Sequence, residues 1–139
     1  MITAYIDGGA RGNPGPAGYG VRVENAEGEV VDEIHGALGI ATNNVAEYNG
    51  LLAALQWAVE HGEGDVLIRA DSELLVKQMR GEYKVKHPGL QPLYVRARLL
   101  VMELGKVRFE HIRRELNKEA DRLSNLGMDQ AEELLKAER

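Results

Sequence analysis

The sequence contains no cysteine. Disulfides, thiolate metal sites and a cysteine nucleophile are therefore excluded. Positive charge is not in excess either: 17 Lys and Arg face 22 Asp and Glu, a formal net charge of −5. A basic polyelectrolyte that coats nucleic acid by bulk charge is ruled out, although a local basic patch can still bind against the global sign. No apolar run is long enough to span a bilayer. The residues before Asp7 offer neither the basic start nor the apolar stretch of a signal peptide, so the default compartment is the cytoplasm. Linkers, internal repeats and low-complexity tracts are also missing. What remains is a chain of 139 residues, 44% hydrophobic and 28% charged, the size and composition of a single globular domain over 1–139.

Within that domain the hydrophobic pattern alternates between two periods. Met1–Asp7 reads as a strand with Ile2, Ala4 and Ile6 on one face. A dense run of turn formers, Gly8 to Gly18, follows. Tyr19–Glu24 and Glu29–Gly36 read as a hairpin turning at Asn25–Gly28. Helices are expected over Asn43–His61, Ser72–Gly81, Leu93–Leu104 and Asn117–Ala137, the last kinked or frayed at Gly127. Strands are expected over Asp65–Ala70 and Lys106–Ile112. The order predicts an α/β domain: a five-stranded mixed sheet, three antiparallel strands then two more, flanked by helices.

Charge is unevenly spread along the chain. Residues 20–47 carry six acidic side chains against Arg22 alone. Residues 69–98 carry seven basic side chains against three acidic ones, either a solvated face or a surface for a polyanion. The glycine segment lacks the Gly-Lys-Ser/Thr end of a P-loop and does not fit G-x-G-x-x-G before a helix. ATP and dinucleotide cofactors are therefore unsupported.

Four carboxylates fall at element ends or on helices. Asp7 and Asp71 each follow an apolar strand, Glu47 lies in the first long helix, and Asp121 lies in the opening turns of the last. Each has an ordinary alternative: a turn former at Asp7, a variant capping box of Asn44 and Glu47, a helix cap at Asp71, surface charge at Asp121. Brought to one sheet edge, the four would repel unless cations balanced them. An all-oxygen donor set favours Mg²⁺ or Mn²⁺ over zinc. Two such ions form a clamp for in-line attack on a phosphodiester.

Taken together, Asp7–Gly18 (DGGARGNPGPAG), Thr42–Glu47 (TNNVAE), Asp71-Ser72-Glu73 and Asn117–Asp121 (NKEAD) resemble ribonuclease H type 1. The likeness runs in order along nearly the whole chain. It implies the ribonuclease H-like fold and cleavage of the RNA strand of RNA/DNA hybrids, leaving 3′-hydroxyl and 5′-phosphate ends. It also implies two Mg²⁺ ions, with Mn²⁺ as a substitute, on Asp7, Glu47, Asp71 and Asp121. Substrate contacts carried over by motif are Gly8, Gly9, Asn13, Thr42, Asn43 and Asn44, which would read the 2′-hydroxyl and hold a phosphate.

The chain departs from the family pattern in three places, one of them Glu73, which stands where some relatives place a Gln that touches RNA. Many members carry a catalytic His in a loop before the last helix. Here that loop is short and His111 falls in the expected strand, which leaves Arg114 as the candidate. Many bacterial members also carry a long basic, Trp-rich insertion. Here 81–92 is compact and the one Trp, Trp57, reads as core, so Arg80, Tyr83, Lys84, Lys86, Arg96 and Arg98 are the candidate grips on the DNA strand. The rival is a non-catalytic module of the same fold that binds hybrid or double-stranded RNA. The expected protein is a monomer with an RNA/DNA hybrid as its partner, no membrane association and no nucleotide cofactor.

Overall fold

A computed structural model of the chain describes residues 1–138. Five strands, β1 (Ile2–Ala10), β2 (Gly15–Glu24), β3 (Val30–Ala41), β4 (Asp65–Ala70) and β5 (Lys106–His111), form one sheet in the order β3-β2-β1-β4-β5. The first three pair antiparallel; β4 pairs parallel with β1 and with β5. Four helices flank it: α1 (Asn43–Glu60), α2 (Glu73–Met79), α3 (Gln91–Leu104) and α4 (Lys118–Ala137). A short 3-10 turn, Arg114–Leu116, precedes α4. No helix among the described residues is long and apolar enough to cross a membrane.

The glycine-rich segment is mostly strand, not the long turn expected from its composition. Gly8, Gly9 and Ala10 continue β1 and pair with Tyr19, Gly18 and Ala17 of β2, leaving a short bend between Ala10 and Gly15. The glycines serve close packing. A Cβ on Gly8 would lie 2.3 Å from the main chain of Ala46, so α1 rests directly on the strand there. β3 likewise runs past Gly36 to Ala41, which brings the chain to the start of α1. Gly127 neither kinks nor frays α4, which is continuous through it. A Cβ there would come 2.3 Å from the Gly36 carbonyl oxygen, so the residue lets the helix lie on β3.

β1 has two faces. Ile2, Ala4 and Ile6 are buried against α1, where Leu51 and Leu55 are fully enclosed. Burying such a side chain contributes about 1.5–3 kcal/mol. Asp7 points to the opposite face, the one covered by α4. Trp57 packs in the core as expected, and its indole N–H donates to Asp32 at 2.8 Å.

Candidate active site

Parallel pairing of β1 with β4 aligns Ile6 with Ala70, so the next residues, Asp7 and Asp71, leave adjacent strands at the same level. Such strand ends are where parallel sheets gather functional groups. Glu47, one turn into α1, enters from the side because Gly8 admits the helix so closely. Each of these three carboxylates offers an oxygen, and the three oxygens lie within 4.8 Å of one another. Asp121 is outside that trio but lines the same cavity of about 260 Å³, with Gly8, Gly9, Asn43, Arg114, Ser124 and Met128.

The cluster is electrostatically unstable by itself. Burial, then the Asp71 charge, pushes the Asp7 carboxyl from an ordinary 3.8 up to about 7, while a hydrogen bond from Ser124 pulls the other way. Burial, then the charges of Asp7 and Asp71, raises Glu47 well above the usual carboxylate range. Oε2 of Glu47 is buried with no hydrogen-bond partner. An orphaned acceptor among crowded carboxylates costs free energy unless a cation fills it. The donors are all oxygens, which suits a hard divalent ion. The residues present therefore fit the cation expected of them.

Local geometry shows which of these residues cap the helices. Thr42, not Asn43 or Asn44, caps α1: its hydroxyl accepts from the Val45 N–H. Ser72 caps α2 by accepting from Leu75 N–H, which leaves Asp71 free of that duty. Asn43 Oδ1 accepts from the Ala10 N–H at 2.8 Å, and Asn13 Oδ1 accepts from the Asn43 N–H at 3.0 Å. These bonds tie the β1–β2 bend to the start of α1 and leave each side chain its NH₂ group to donate. Asn44 is exposed in the first turn of α1.

Arg114, exposed in the 3-10 turn, borders the carboxylate cavity. His111 is the exposed last residue of β5. Lys84 and Lys86 lie exposed between α2 and α3 and do not line the cavity. Several cations of the basic stretch are engaged in holding the fold. Arg80 donates to the Phe109 carbonyl, Arg98 to the Met79 carbonyl, and Arg69 to Tyr5 and Glu110.

Two residues at the site had no role in the sequence reading. Asn117 is buried, and its Nδ2 donates to the Ile6 carbonyl at 2.9 Å and to Asp71 Oδ2 at 3.1 Å. Ser124, also buried, touches Asp7. A polar residue seven positions after Asn117 on the buried face of an amphipathic helix was the available signal for Ser124.

A protein-family model described as "Reverse transcriptase-like" matches residues 5–127. The bifunctional protein Rv2228c of Mycobacterium tuberculosis is 48% identical over 94% of this chain, which spans 36% of that protein's length. The solved N-terminal RNase H domain of Rv2228c superposes with a TM-score of 0.90 at 46% identity, covering 97% of this chain and 99% of that one. Ribonuclease HI of Halobacterium salinarum is 41% identical over 94% of this chain, which spans 65% of its length. LC11-RNase H1, isolated from compost by a metagenomic approach, was solved in complex with an RNA/DNA hybrid. It gives a TM-score of 0.90 at 43% identity, covering 94% of this chain and 99% of that one. Strand order, the carboxylates at the β1 and β4 ends and these near end-to-end matches agree, and the chain belongs to the ribonuclease H type 1 family.

Proposed function

We propose that this chain hydrolyses the RNA strand of RNA/DNA hybrids, leaving 3′-hydroxyl and 5′-phosphate ends. The observation that carries the reading is the trio Asp7, Glu47 and Asp71 with its orphaned Glu47 oxygen, beside asparagines suited to reading ribose. The hybrid held by LC11-RNase H1 supports the substrate class.

Asp7, Glu47, Asp71 and Asp121 would hold two Mg²⁺, with Mn²⁺ as a substitute. Such a pair supplies Lewis-acid activation of water and neutralises charge on the phosphate and the leaving oxygen. Everything else falls to the chain. Asn13, Asn43 and Asn44 donate amide protons to the 2′-hydroxyl side of the RNA, the group that separates it from DNA. The Gly8 and Gly9 main chain allows the backbone of the RNA to come close. Thr42, with Asn13, holds a phosphate of the DNA strand. Arg114 places a permanent positive charge at the mouth of the cavity, where it balances the scissile phosphate without moving a proton. Lys84 and Lys86 attract the DNA strand electrostatically.

The test is a labelled RNA/DNA hybrid, duplex RNA and duplex DNA, each incubated with Mg²⁺, Mn²⁺ or chelator. The expected result is endonucleolytic cutting of the RNA in the hybrid alone, abolished by chelator. Binding of the hybrid without cleavage in either ion would replace this reading with a non-catalytic module of the same fold.

A further inference from the structure

Ser124 stands one turn beyond Asp121 on α4 and is 1% exposed. Its Oγ lies 3.0 Å from Asp7 Oδ2 and 2.9 Å from the main-chain oxygen of Asp121. A hydroxyl has one proton, so it donates to only one of the two at a time. A serine inside a helix ordinarily donates back to the carbonyl three or four residues earlier. Here that carbonyl already accepts from Asn125 Nδ2 at 2.9 Å. Asp7 Oδ2 is the acceptor with more to gain, because it is a carboxylate inside the protein.

The hydroxyl is also held in place. Gly20 pairs with Asp7 across β1 and β2, and a Cβ on Gly20 would come 2.5 Å from the Ser124 nitrogen. The helix therefore sits on the sheet directly beside Asp7, which keeps the serine within reach of the carboxylate. One bond thus links the β1 carboxylate to the turn of α4 that carries Asp121.

We propose that Ser124 is a positioning residue for the cation site: its hydroxyl fixes the rotation of the Asp7 carboxylate and ties it to the α4 turn bearing Asp121. The inference rests on the carboxylate-site reading above. Partners that orient metal ligands from behind change metal affinity by about 10–100-fold when removed. Alanine at 124 is a good helix former and smaller than serine, so Ser124→Ala keeps the fold.

The test is Mn²⁺ binding by calorimetry, without nucleic acid, for the unaltered protein, Ser124→Ala and Asp71→Asn, with the melting temperature of each in chelator. Ser124→Ala is expected to bind Mn²⁺ about tenfold more weakly and to stay folded in chelator, with a melting temperature lower by no more than a few degrees. The Mn²⁺ concentration giving half-maximal hybrid cleavage is expected to rise in parallel, while the rate at saturating Mn²⁺ stays within a few-fold. Isotherms for Ser124→Ala that overlay those of the unaltered protein, while Asp71→Asn loses binding, would overturn the role of Ser124 alone. No binding by the unaltered protein, or undiminished binding by Asp71→Asn, would overturn the carboxylate-site reading and this inference with it.

Discussion

The side-chain amide of Asn117 donates to Asp71 Oδ2 at 3.1 Å and to the main-chain oxygen of Ile6, the residue before Asp7, at 2.9 Å. One buried group thus spans the ends of β1 and β4 from the residue that opens α4. It does so instead of capping that helix, since its side chain makes no cap hydrogen bond. Replacing Asn117 with Ala leaves the Ile6 carbonyl unpaired and Asp71 without its orienting donor. A stability loss of about 1–3 kcal/mol is expected from urea unfolding. Activity should fall further than the folded fraction does. A variant as stable and active as the parent would show that the bridge holds nothing.

Asp7 gives the cation-free protein an unusual pH dependence. Its folded value is about 7 against an ordinary 3.8. Between those values the folded protein keeps a proton that the unfolded chain has released. The stabilisation from that proton is complete below about pH 4 and is lost as pH rises towards 7. Glu47 acts in the same direction. In chelator, the urea midpoint should therefore drop between pH 5 and 7.5. The loss should amount to a few kcal/mol, at ~1.4 kcal/mol per pH unit. Saturating Mg²⁺ should reverse most of it, and Asp7→Asn should flatten the slope. A midpoint that climbs over this range in chelator would contradict the electrostatics of the cluster.

Arg114 borders the cavity but is exposed and packs against no core. Arg114→Ala should leave stability within about 0.5 kcal/mol. It should lower kcat by up to ~100-fold, the scale for removing one preorganised charge or donor from a transition state. Arg114→Lys should recover part of the loss, because the charge survives and the planar fork does not. An unchanged kcat in Arg114→Ala would remove it from the site.

Lys84 and Lys86 are exposed, and neither forms an ion pair among the described residues. Much of the rest of the basic stretch is tied to carbonyls and carboxylates of the fold. Hybrid affinity, measured from 50 to 200 mM salt, should fall steeply. Replacing either lysine with Ala should reduce the slope of log affinity against log salt by about one. A slope that both variants leave untouched would place the DNA strand elsewhere.

The mixed five-stranded sheet was legible because its strands carry local signals, whereas the order β3-β2-β1-β4-β5 was not, and the four carboxylates were grouped by the family resemblance. The alternation in Met1–Asp7 and the apolar run Asp65–Ala70 each end at an Asp, and parallel pairing brings those ends together. The glycine segment was misjudged because composition cannot tell a turn glycine from one that admits a helix. Gly8 and Gly127 are both of the second kind. Asn117 and Ser124 were missed for a related reason. Their partners, Ile6, Asp71 and Asp7, are 111, 46 and 117 residues away in sequence. No short-range pattern marks such bonds. The basic stretch was legible as charge but not as structure, since nothing local says that Arg80 will spend its guanidinium on Phe109.

Gly127→Ala would drive a methyl group to 2.3 Å from the Gly36 oxygen and force α4 off β3. Helix propensity alone favours Ala over Gly by about 1 kcal/mol. A net destabilisation of about 1–3 kcal/mol is nevertheless expected from overpacking. A stabilised variant would mean that the close approach is not real.

If these carboxylates hold the ions that cut RNA in a hybrid, removing one ligand charge with Asp71→Asn should stop cleavage. The amide keeps the shape and still offers Asn117 an oxygen acceptor, while removing the charge. The measurement is the rate of hybrid cleavage in Mg²⁺, taken alongside a melting curve. The expected result is a folded protein whose cleavage is lower by several orders of magnitude, as follows from loss of a required metal ligand. Near-normal cleavage by a folded Asp71→Asn protein would contradict this reading of the carboxylates.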